Sequence, residues 1–192
     1  MIVETWFPTY IGFEINGDHK KISAKLSPIC RKIKDNTKNI KNQWVSKLYQ
    51  TCHTHDICKD KKFNIINDYV YQKVEEYVKT LNSKQKIISK EGWFNIYKKH
   101  DFQEFHCHPS RHLSVIYILK SSSENPNIIF EKDGGIYNTE SDLQTINLTP
   151  KVNYKSKQGS LIIFRSSLNH CVERKEDNNE RISLAYNFNL SL

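Results

Sequence analysis

A chain of 192 residues with a formal net charge of +8 is long enough for a domain with a sizeable core. Its 10 tyrosines, 9 phenylalanines and 3 tryptophans exclude a disordered chain, which lacks such core material. No apolar run approaches the ~20 residues that span a bilayer, and the 5 cysteines show no disulfide framework. We therefore expect a soluble cytoplasmic protein with reduced thiols and no membrane partner.

The first half of the chain predicts one strand and two helices. Residues 1–15 indicate an opening strand with a turn near Pro8. Over residues 20–48 apolar side chains recur at steps of four and three, which predicts a helix with an interruption near Pro28. The same period is clearer over residues 62–82 and predicts a second helix.

The positive charge is concentrated in residues 19–48, which are rich in lysine. A basic segment of this kind can bind nucleic acid. The lysines are spaced among Asn and Ser through the helical pattern, however, and this spacing is typical of a face in contact with solvent. Nucleic-acid binding is therefore the weaker interpretation of this segment.

From about residue 92 the pattern changes to short strands rich in β-branched and aromatic residues. The candidates are GWFNIYKK, LSVIYILK, NIIFEK, GSLIIFRS and RISLAYNFNL. Helices followed by strands predict an α+β domain whose helices cover one sheet. We expect a single domain over residues 1–192, with an N-terminal strand and supporting helices in 1–90 and the sheet core in 91–192.

The last predicted strand, RISLAYNFNL, has two unlike faces because side chains alternate along a strand. The apolar face needs a cover that the two helices can supply, and it consists of Ile182, Leu184, Tyr186, Phe188 and Leu190. The other face consists of Arg181, Ser183, Ala185, Asn187 and Asn189. In a barrel or sandwich this polar face would line an interior pocket.

Histidines are crowded into the segment EFHCHPSRHL, directly ahead of a predicted strand. His106 and His108 are two residues apart, so on an extended strand both point to one side and can reach one ion, while Cys107 points away and is expected to pack. His170 follows another predicted strand after a short polar turn. Neutral imidazole binds Zn, Fe, Cu or Ni. The alternative is an exposed polar loop that is rich in histidine.

The segments HCHPSRHLSVIYIL, NIIFEK and GSLIIFRSSLNHCVERKEDNNERISLAYNF together resemble the double-stranded β-helix core, jelly-roll and cupin-like, of the 2-oxoglutarate/Fe(II)-dependent oxygenases. The chain is most similar to a family of such oxygenases typical of marine bacteria and their phages. That family's FPTP-like start is matched by Phe7, Pro8 and Thr9, and its HxHPxxxxS motif by His106, His108, Pro109 and Ser114.

The resemblance implies an oxidoreductase, a dioxygenase that uses Fe(II), 2-oxoglutarate and O2 to hydroxylate a substrate, in the host cytoplasm if the gene is viral. It assigns His106 and His170 to the iron. The usual ligand set adds an Asp or Glu two residues after the first histidine, and here that position holds His108.

Three alternatives follow from this departure. The first, which we favour, is a three-histidine site in which 2-oxoglutarate supplies the negative charge. In the second, a carboxylate from elsewhere completes the site, and the candidates are Glu104, Glu131 and Asp133. In the third, iron binds weakly and the protein is not an active oxygenase. His112 lies where a cupin has its glutamate ligand, but we expect it at the surface or behind the ligands.

The resemblance also assigns a cosubstrate pocket. Arg181 and Ser183 match the RxS pair that holds the distal carboxylate of 2-oxoglutarate, and Asn95 and Tyr97 match an NxY segment that helps to hold it. A guanidinium pairs with a carboxylate through two charge-assisted hydrogen bonds, and the serine hydroxyl lies on the same strand face. The alternative for Arg181 is a surface ion pair with Glu180 or the neighbouring ERKED stretch.

Two rival functions remain open at this point. One is a cupin-type metalloprotein that does not use 2-oxoglutarate, which leaves Arg181 and Ser183 unexplained. The other is a non-catalytic nucleic-acid-binding module on an oxygenase-like fold. Residues 134–157 are a candidate lid, and the sequence indicates neither the substrate nor the oligomeric state. The segment CHTHDIC, residues 52–58, contains metal-binding residue types but lacks a partner pair, so we interpret it as a polar approach to the second helix.

Overall fold

The computed structural model describes residues 2, 8–38, 44–122, 126–131 and 151–191. Within these ranges the helices are α1 (His19–Asn36) and α2 (Asn64–Thr80), and a 3₁₀ turn at Lys61–Phe63 leads into α2. None of the described helices has both the length and the apolar character needed to cross a membrane.

The first helix is shorter in the structure than the sequence pattern over residues 20–48 predicted. α1 runs through Pro28 without interruption and ends at Asn36, and Thr37 already has extended backbone angles. The apolar spacing stops at Ile33, and Asn and Thr are weak helix formers, so nothing holds a helix beyond this point. Pro28 is exposed, and the carbonyl that loses its hydrogen-bond donor, that of Ala24, belongs to a residue that is also exposed.

Ten strands are found in the described ranges. They are β1 (Ile11–Ile15), β2 (Tyr49–Gln50), β3 (Ile87–Tyr97), β4 (Gln103–His106), β5 (Leu113–Lys120), β6 (Asn127–Glu131), β7 (Lys151–Lys155), β8 (Ser160–Arg165), β9 (Asn169–Val172) and β10 (Arg181–Leu190). They form a six-stranded sheet in the order β1-β8-β5-β10-β3-β2 and a four-stranded sheet in the order β4-β9-β6-β7. Neighbouring strands pair antiparallel.

Two hydrophobic cores hold these layers together. The first lies between the helices and the six-stranded sheet, and it contains the alternate apolar residues of β10, as the sequence predicted. The second lies between the two sheets and includes Phe130, Phe164 and Val172. Helices on one face of a two-sheet sandwich confirm the predicted α+β class, and the polar face of β10 is left facing the space between the sheets.

The five strands predicted from residue 92 onward are all present, and β5 and β10 have the predicted bounds. Of the opening strand predicted in residues 1–15, the described part forms β1 at Ile11–Ile15. The strands β2, β4, β7 and β9 were not predicted because they are short and partly polar. Residues 151–155 of the candidate lid form β7, so that part of the lid prediction is wrong. Residues 134–150 of the lid, Asp133 and Phe7 of the FPTP-like match lie outside the described residues.

Candidate active site

Two short strands of the four-stranded sheet bring distant histidines together. His106 is the last residue of β4, His170 lies in β9, and the two residues are directly paired in the antiparallel ladder. Residues paired in this way point to the same face of a sheet. Their ring centroids are 4.2 Å apart, and Phe130, the next residue in the same row, packs against His170.

The backbone fixes the tautomer of both rings. His106 Nδ1 lies 2.8 Å from the carbonyl oxygen of Glu104, and His170 Nδ1 lies 3.0 Å from that of Leu168. Because a carbonyl oxygen can only accept, Nδ1 must carry the proton in each ring. The lone pair is therefore on Nε2, which is the nitrogen left free to bind a metal.

His108 completes the group, although it lies beyond the end of β4 rather than on an extended strand. One ligand nitrogen from each of His106, His108 and His170 lies within 4.8 Å of the others, so the three can hold a metal ion. Cys107, which was expected to pack, is exposed instead.

Burial keeps these imidazoles neutral. It is the largest cause that lowers the pKa of His106 below its ordinary value, the pKa of His108 to about 4, and that of His170 well below its ordinary value. The proximity of His106 lowers the pKa of His108 and His170 further. A set of neutral imidazoles at pH 7 has lone pairs available for a divalent cation.

Glu104 and Glu131, two of the three carboxylate alternatives, are not part of this group, and Asp133 lies outside the described residues. Glu104 directs one carboxylate oxygen to the backbone N–H of Val45, at 2.7 Å. Glu131 follows Phe130 on β6 and therefore points to the opposite face of the sheet from His170. In the part of the chain that the structure describes, no carboxylate lies in the three-histidine group.

Arg181, the first residue of β10, is fully buried. Its NH2 group donates to Ser156 Oγ at 3.2 Å, and its guanidinium lies over the ring of Tyr97 at 4.4 Å from the ring centroid. Its Nε and NH1 atoms have no hydrogen-bond partner among the described residues. The alternative of an ion pair with Glu180 is wrong, because Glu180 pairs with Arg31 and Lys120.

The register between β10 and β3 builds the wall around this guanidinium. Arg181 is opposite Tyr97, Ser183 is opposite Asn95, and Ala185 is opposite Trp93. All of these side chains line one cavity, and Asn95 Oδ1 is buried without a hydrogen-bond partner in the described structure. The Tyr97 hydroxyl donates to Gln103 Oε1, and burial raises the pKa of this phenol.

The same cavity is lined by the three histidines. The space that the centre of a water molecule can occupy inside it is about 30 Å³. The three neutral imidazoles offer a site for a metal cation, and the guanidinium in the same cavity offers a site for an anionic group of a small ligand.

A family model described as "Putative 2OG-Fe(II) oxygenase" matches residues 91–187, which include all three histidines and the guanidinium. The chain belongs to this family. It is an oxygenase dependent on iron and 2-oxoglutarate, and its substrate is unknown. No curated protein sequence matches the chain.

Solved structures show the same fold for this 2OG-Fe(II) oxygenase at low sequence identity. A prolyl-4-hydroxylase from Pseudomonas putida matches with a TM-score of 0.68 and 14% identity over 94% of this chain and 93% of that one. HygX from Streptomyces hygroscopicus, with nickel and 2-oxoglutarate bound, matches with a TM-score of 0.61 and 10% identity over 94% and 83%. A 2OG-Fe(II) oxygenase family protein from Burkholderia pseudomallei matches with a TM-score of 0.56 and 14% identity over 92% of each chain. The predicted double-stranded β-helix is confirmed.

The donor set of this oxygenase fits both groups that its family uses. Three neutral imidazoles suit Fe(II), and the orphaned N–H groups of Arg181 suit a carboxylate of 2-oxoglutarate. The roles of the individual residues stay predictions.

Several residues that shape the site were not predicted from the sequence. Trp93 could have been found by counting back in steps of two from Tyr97 and Asn95. Ser156, which bonds Arg181, gave no signal because its partner is 25 residues away along the chain. Gln103, which bonds Tyr97, belongs to no recognised motif.

The remaining candidate residues lie away from the three-histidine group. His112 is exposed, and its Nδ1 accepts from the backbone N–H of Leu190. Residues 52–58 precede α2, and His55 pairs with Asp60, whose carboxylate caps the 3₁₀ turn.

Proposed function

We propose that this dioxygenase holds Fe(II) through His106, His108 and His170, and holds 2-oxoglutarate through Arg181 and Ser183. The observation that carries the proposal is one cavity that is lined by three neutral imidazoles and by a guanidinium whose Nε and NH1 find no partner in the described part of the chain. With iron bound, the site would support an oxidation in which 2-oxoglutarate and O2 become succinate and CO2 and a substrate C–H bond becomes C–OH.

The histidines act as a preorganised neutral ligand set. The carbonyl oxygens that accept from His106 and His170 hold each Nε2 lone pair in place before the metal arrives. Because no carboxylate belongs to this set among the described residues, the double charge of the cation is compensated by an anionic ligand. This charge balance favours 2-oxoglutarate, which is a dianion, over a neutral chelator.

Arg181 and its neighbours position the cosubstrate. NH1 and the second N–H of NH2 can donate two charge-assisted hydrogen bonds to the distal carboxylate, Nε offers a further donor on the other edge, and the Ser183 hydroxyl lies on the same strand face. Tyr97 packs against the guanidinium, and Asn95 offers its free amide oxygen, or its amide N–H groups after a flip, to the same pocket. Phe164 and Val172 add apolar surface to the cavity that holds the imidazoles and the guanidinium, and this surface helps to exclude water.

The observations favour this proposal over a cupin-type metalloprotein that does not use 2-oxoglutarate. Such a protein has no use for a fully buried arginine with two unpaired N–H groups, because burying an unpaired charge is costly. The lysines of α1 are mostly exposed, as the sequence pattern predicted for a solvated face, and no described feature of α1 favours nucleic-acid binding.

An anaerobic titration tests the proposal. Fe(II) and then 2-oxoglutarate are added to the purified apoprotein, and the visible metal-to-ligand charge-transfer band is recorded for wild type, His108→Ala, Arg181→Ala and the exposed control Arg174→Ala. We expect the band in wild type and the control, and its loss at moderate 2-oxoglutarate in the two site variants. Iron binding without a band would indicate the cupin-type alternative, and a wild type that binds no iron would contradict the proposal.

A further inference from the structure

His108 lies on a loop, yet it takes part in a group that requires an accurate position. The rings of His106 and His170 are each fixed by a carbonyl oxygen. The ring of His108 makes no hydrogen bond among the described residues, and Trp93 packs against it edge-on at 6.0 Å. The place of His108 in the group therefore depends on where its backbone is held.

Both peptide groups of His108 are hydrogen-bonded. Its N–H donates to the carbonyl oxygen of Ser166 at 2.7 Å, and its own carbonyl oxygen accepts from the N–H of Arg111 at 3.0 Å. Ser166 follows β8 directly, so the loop of His108 is attached to the six-stranded sheet across the cavity.

Buried side chains continue from Ser166. Its Oγ lies 2.8 Å from Ser114 Oγ, and Ser114 Oγ donates to Asn187 Oδ1 at 2.8 Å. Because the Ser114 proton is used on Asn187, Ser166 is the donor to Ser114. All three residues are buried; Ser166 directly follows β8, Ser114 is the second residue of β5, and Asn187 lies within β10.

The chain of bonds then returns to the loop. Asn187 Nδ2 donates to Glu91 Oε1 at 3.1 Å, and Glu91 accepts two further hydrogen bonds from Arg111 Nε and NH2, both at 2.9 Å. Arg111 is the residue whose N–H donates to the His108 carbonyl. The bonds thus form a closed circuit, which we call the His108 circuit; its members are His108, Ser166, Ser114, Asn187, Glu91 and Arg111.

Stability alone gives little reason for such a circuit. A half-exposed ion pair such as Glu91 with Arg111 contributes about 0–1 kcal/mol, and buried hydroxyls and amides contribute modestly once they are satisfied. A fully satisfied buried network does, however, define one geometry. This network begins and ends on the peptide groups of one residue, and that residue faces the cavity.

We propose that the His108 circuit positions His108 as the third metal ligand, with Asn187 as the positioning residue that joins the buried serines to the Glu91–Arg111 pair. This inference rests on the proposed function, in which His108 binds the metal. Asn187 itself need not touch the metal, because it acts through the backbone of His108.

Cobalt(II) binding tests the inference without any turnover. Co(II) is titrated into metal-free wild type, Asn187→Ala, His108→Ala and the double variant, and the visible d–d absorption gives both the Kd and the coordination signature. We expect Asn187→Ala to raise the Kd for Co(II) about 10- to 100-fold, as outer-sphere changes at metal sites do. In the His108→Ala background the same change should alter the Kd less than about twofold, since its effect acts through His108.

Asn189→Ala is the matched control. Asn189 lies on the same face of β10, two residues further along, and bonds only Ser89 Oγ among the described residues. We expect its Co(II) affinity and spectrum to equal those of wild type. Thermal unfolding of each apoprotein monitors folding, and Ser166→Ala, which removes only one donor of the circuit, replaces Asn187→Ala if that variant does not fold.

The outcomes separate the two proposals. A wild type that does not bind Co(II), or a His108→Ala variant that binds it like wild type, overturns the assignment of His108 and with it the circuit. If His108→Ala strongly raises the Kd for Co(II) but Asn187→Ala, or Ser166→Ala in its place, leaves it unchanged, the role of the circuit is overturned and the assignment of His108 is not. An equal effect of Asn187→Ala in both backgrounds shows a general structural role and also overturns it.

Discussion

Replacing Arg181 with methionine is expected to weaken the binding of 2-oxoglutarate without lowering the stability of the apoprotein. The variant should lose most of its affinity for 2-oxoglutarate, while the metal-free and cosubstrate-free protein should be as stable as wild type or more stable. The reason is that this guanidinium is fully buried and leaves Nε and NH1 unpaired until a carboxylate arrives.

The structure allows both magnitudes to be worked out. The substitution removes one hydrogen bond to Ser156 and one cation–π contact with Tyr97, each contributing about 1 kcal/mol. It also removes a buried charge that has no counter-ion among the described residues, and the desolvation of such a charge costs several kcal/mol. Burial lowers the pKa of this group for the same reason. We expect the free energy of unfolding to stay equal or to rise by about 1–3 kcal/mol.

The loss of binding should be much larger. Two charge-assisted hydrogen bonds at about 1.5–3 kcal/mol each amount to about 3–6 kcal/mol, which corresponds to a roughly 10²- to 10⁴-fold rise in the Kd for 2-oxoglutarate. Isothermal titration of the Co(II)-loaded protein measures this Kd, and urea unfolding of the apoprotein measures stability. Arg174→Met, at an exposed arginine, is the control. A variant at Arg181 that binds 2-oxoglutarate normally and is destabilised by more than about 2 kcal/mol would refute the reasoning.

Three further predictions concern the support of the site. Ser156→Ala removes the hydrogen bond that orients Arg181, so the Kd for 2-oxoglutarate should rise about 5- to 10-fold in the same titration; an unchanged Kd would exclude this role. His108 has a pKa of about 4 in the folded protein and about 6.5 in the unfolded chain. As the pH falls below 6.5, protonation of the unfolded chain therefore lowers the free energy of unfolding, whereas above pH 6.5 it has no effect. Urea unfolding of the apoprotein should show a loss of about 2 kcal/mol from this residue at pH 5, and His108→Ala should flatten the pH profile, while a profile as steep as that of wild type would contradict the prediction. A Cβ at Gly92 would approach three side chains to 3.0 Å or closer, so Gly92→Ala should lower the free energy of unfolding by about 1–3 kcal/mol. Gly17→Ala, where a Cβ meets nothing within 4 Å, should not do so, and equal effects at the two glycines would argue against close packing as the cause.

Sequence patterns predicted the elements whose signal is local. The alternation in β10 placed its apolar residues against the helices and its polar residues toward a pocket, because a strand with one buried face must alternate. The helix pattern over residues 62–82 located α2 for the same kind of reason. Where the apolar period stopped, as after Ile33, the predicted helix extended too far, since composition alone gave no terminating signal.

The short strands were missed because their stability is not local. β4 and β9 have four residues each and carry His106 and His170. Strands of this length acquire their conformation from the partners they pair with. The residues that support the site from elsewhere, such as Ser156 for Arg181, could not be predicted for the same reason.

The sequence by itself determined the residue types of the site, their order and the family they indicate: the HxH pair, the later histidine and the RxS pair. The tertiary structure placed these residues around one cavity, kept carboxylates out of the group among the described residues, and left Nε and NH1 of Arg181 without a partner in the same part of the chain. It also fixed how His108 is held, through bonds among four segments of the chain, around residues 91, 108–114, 166 and 187. The physical reason is that residue type is a local property of the chain, whereas register, burial and hydrogen-bond satisfaction depend on which segments the fold brings together.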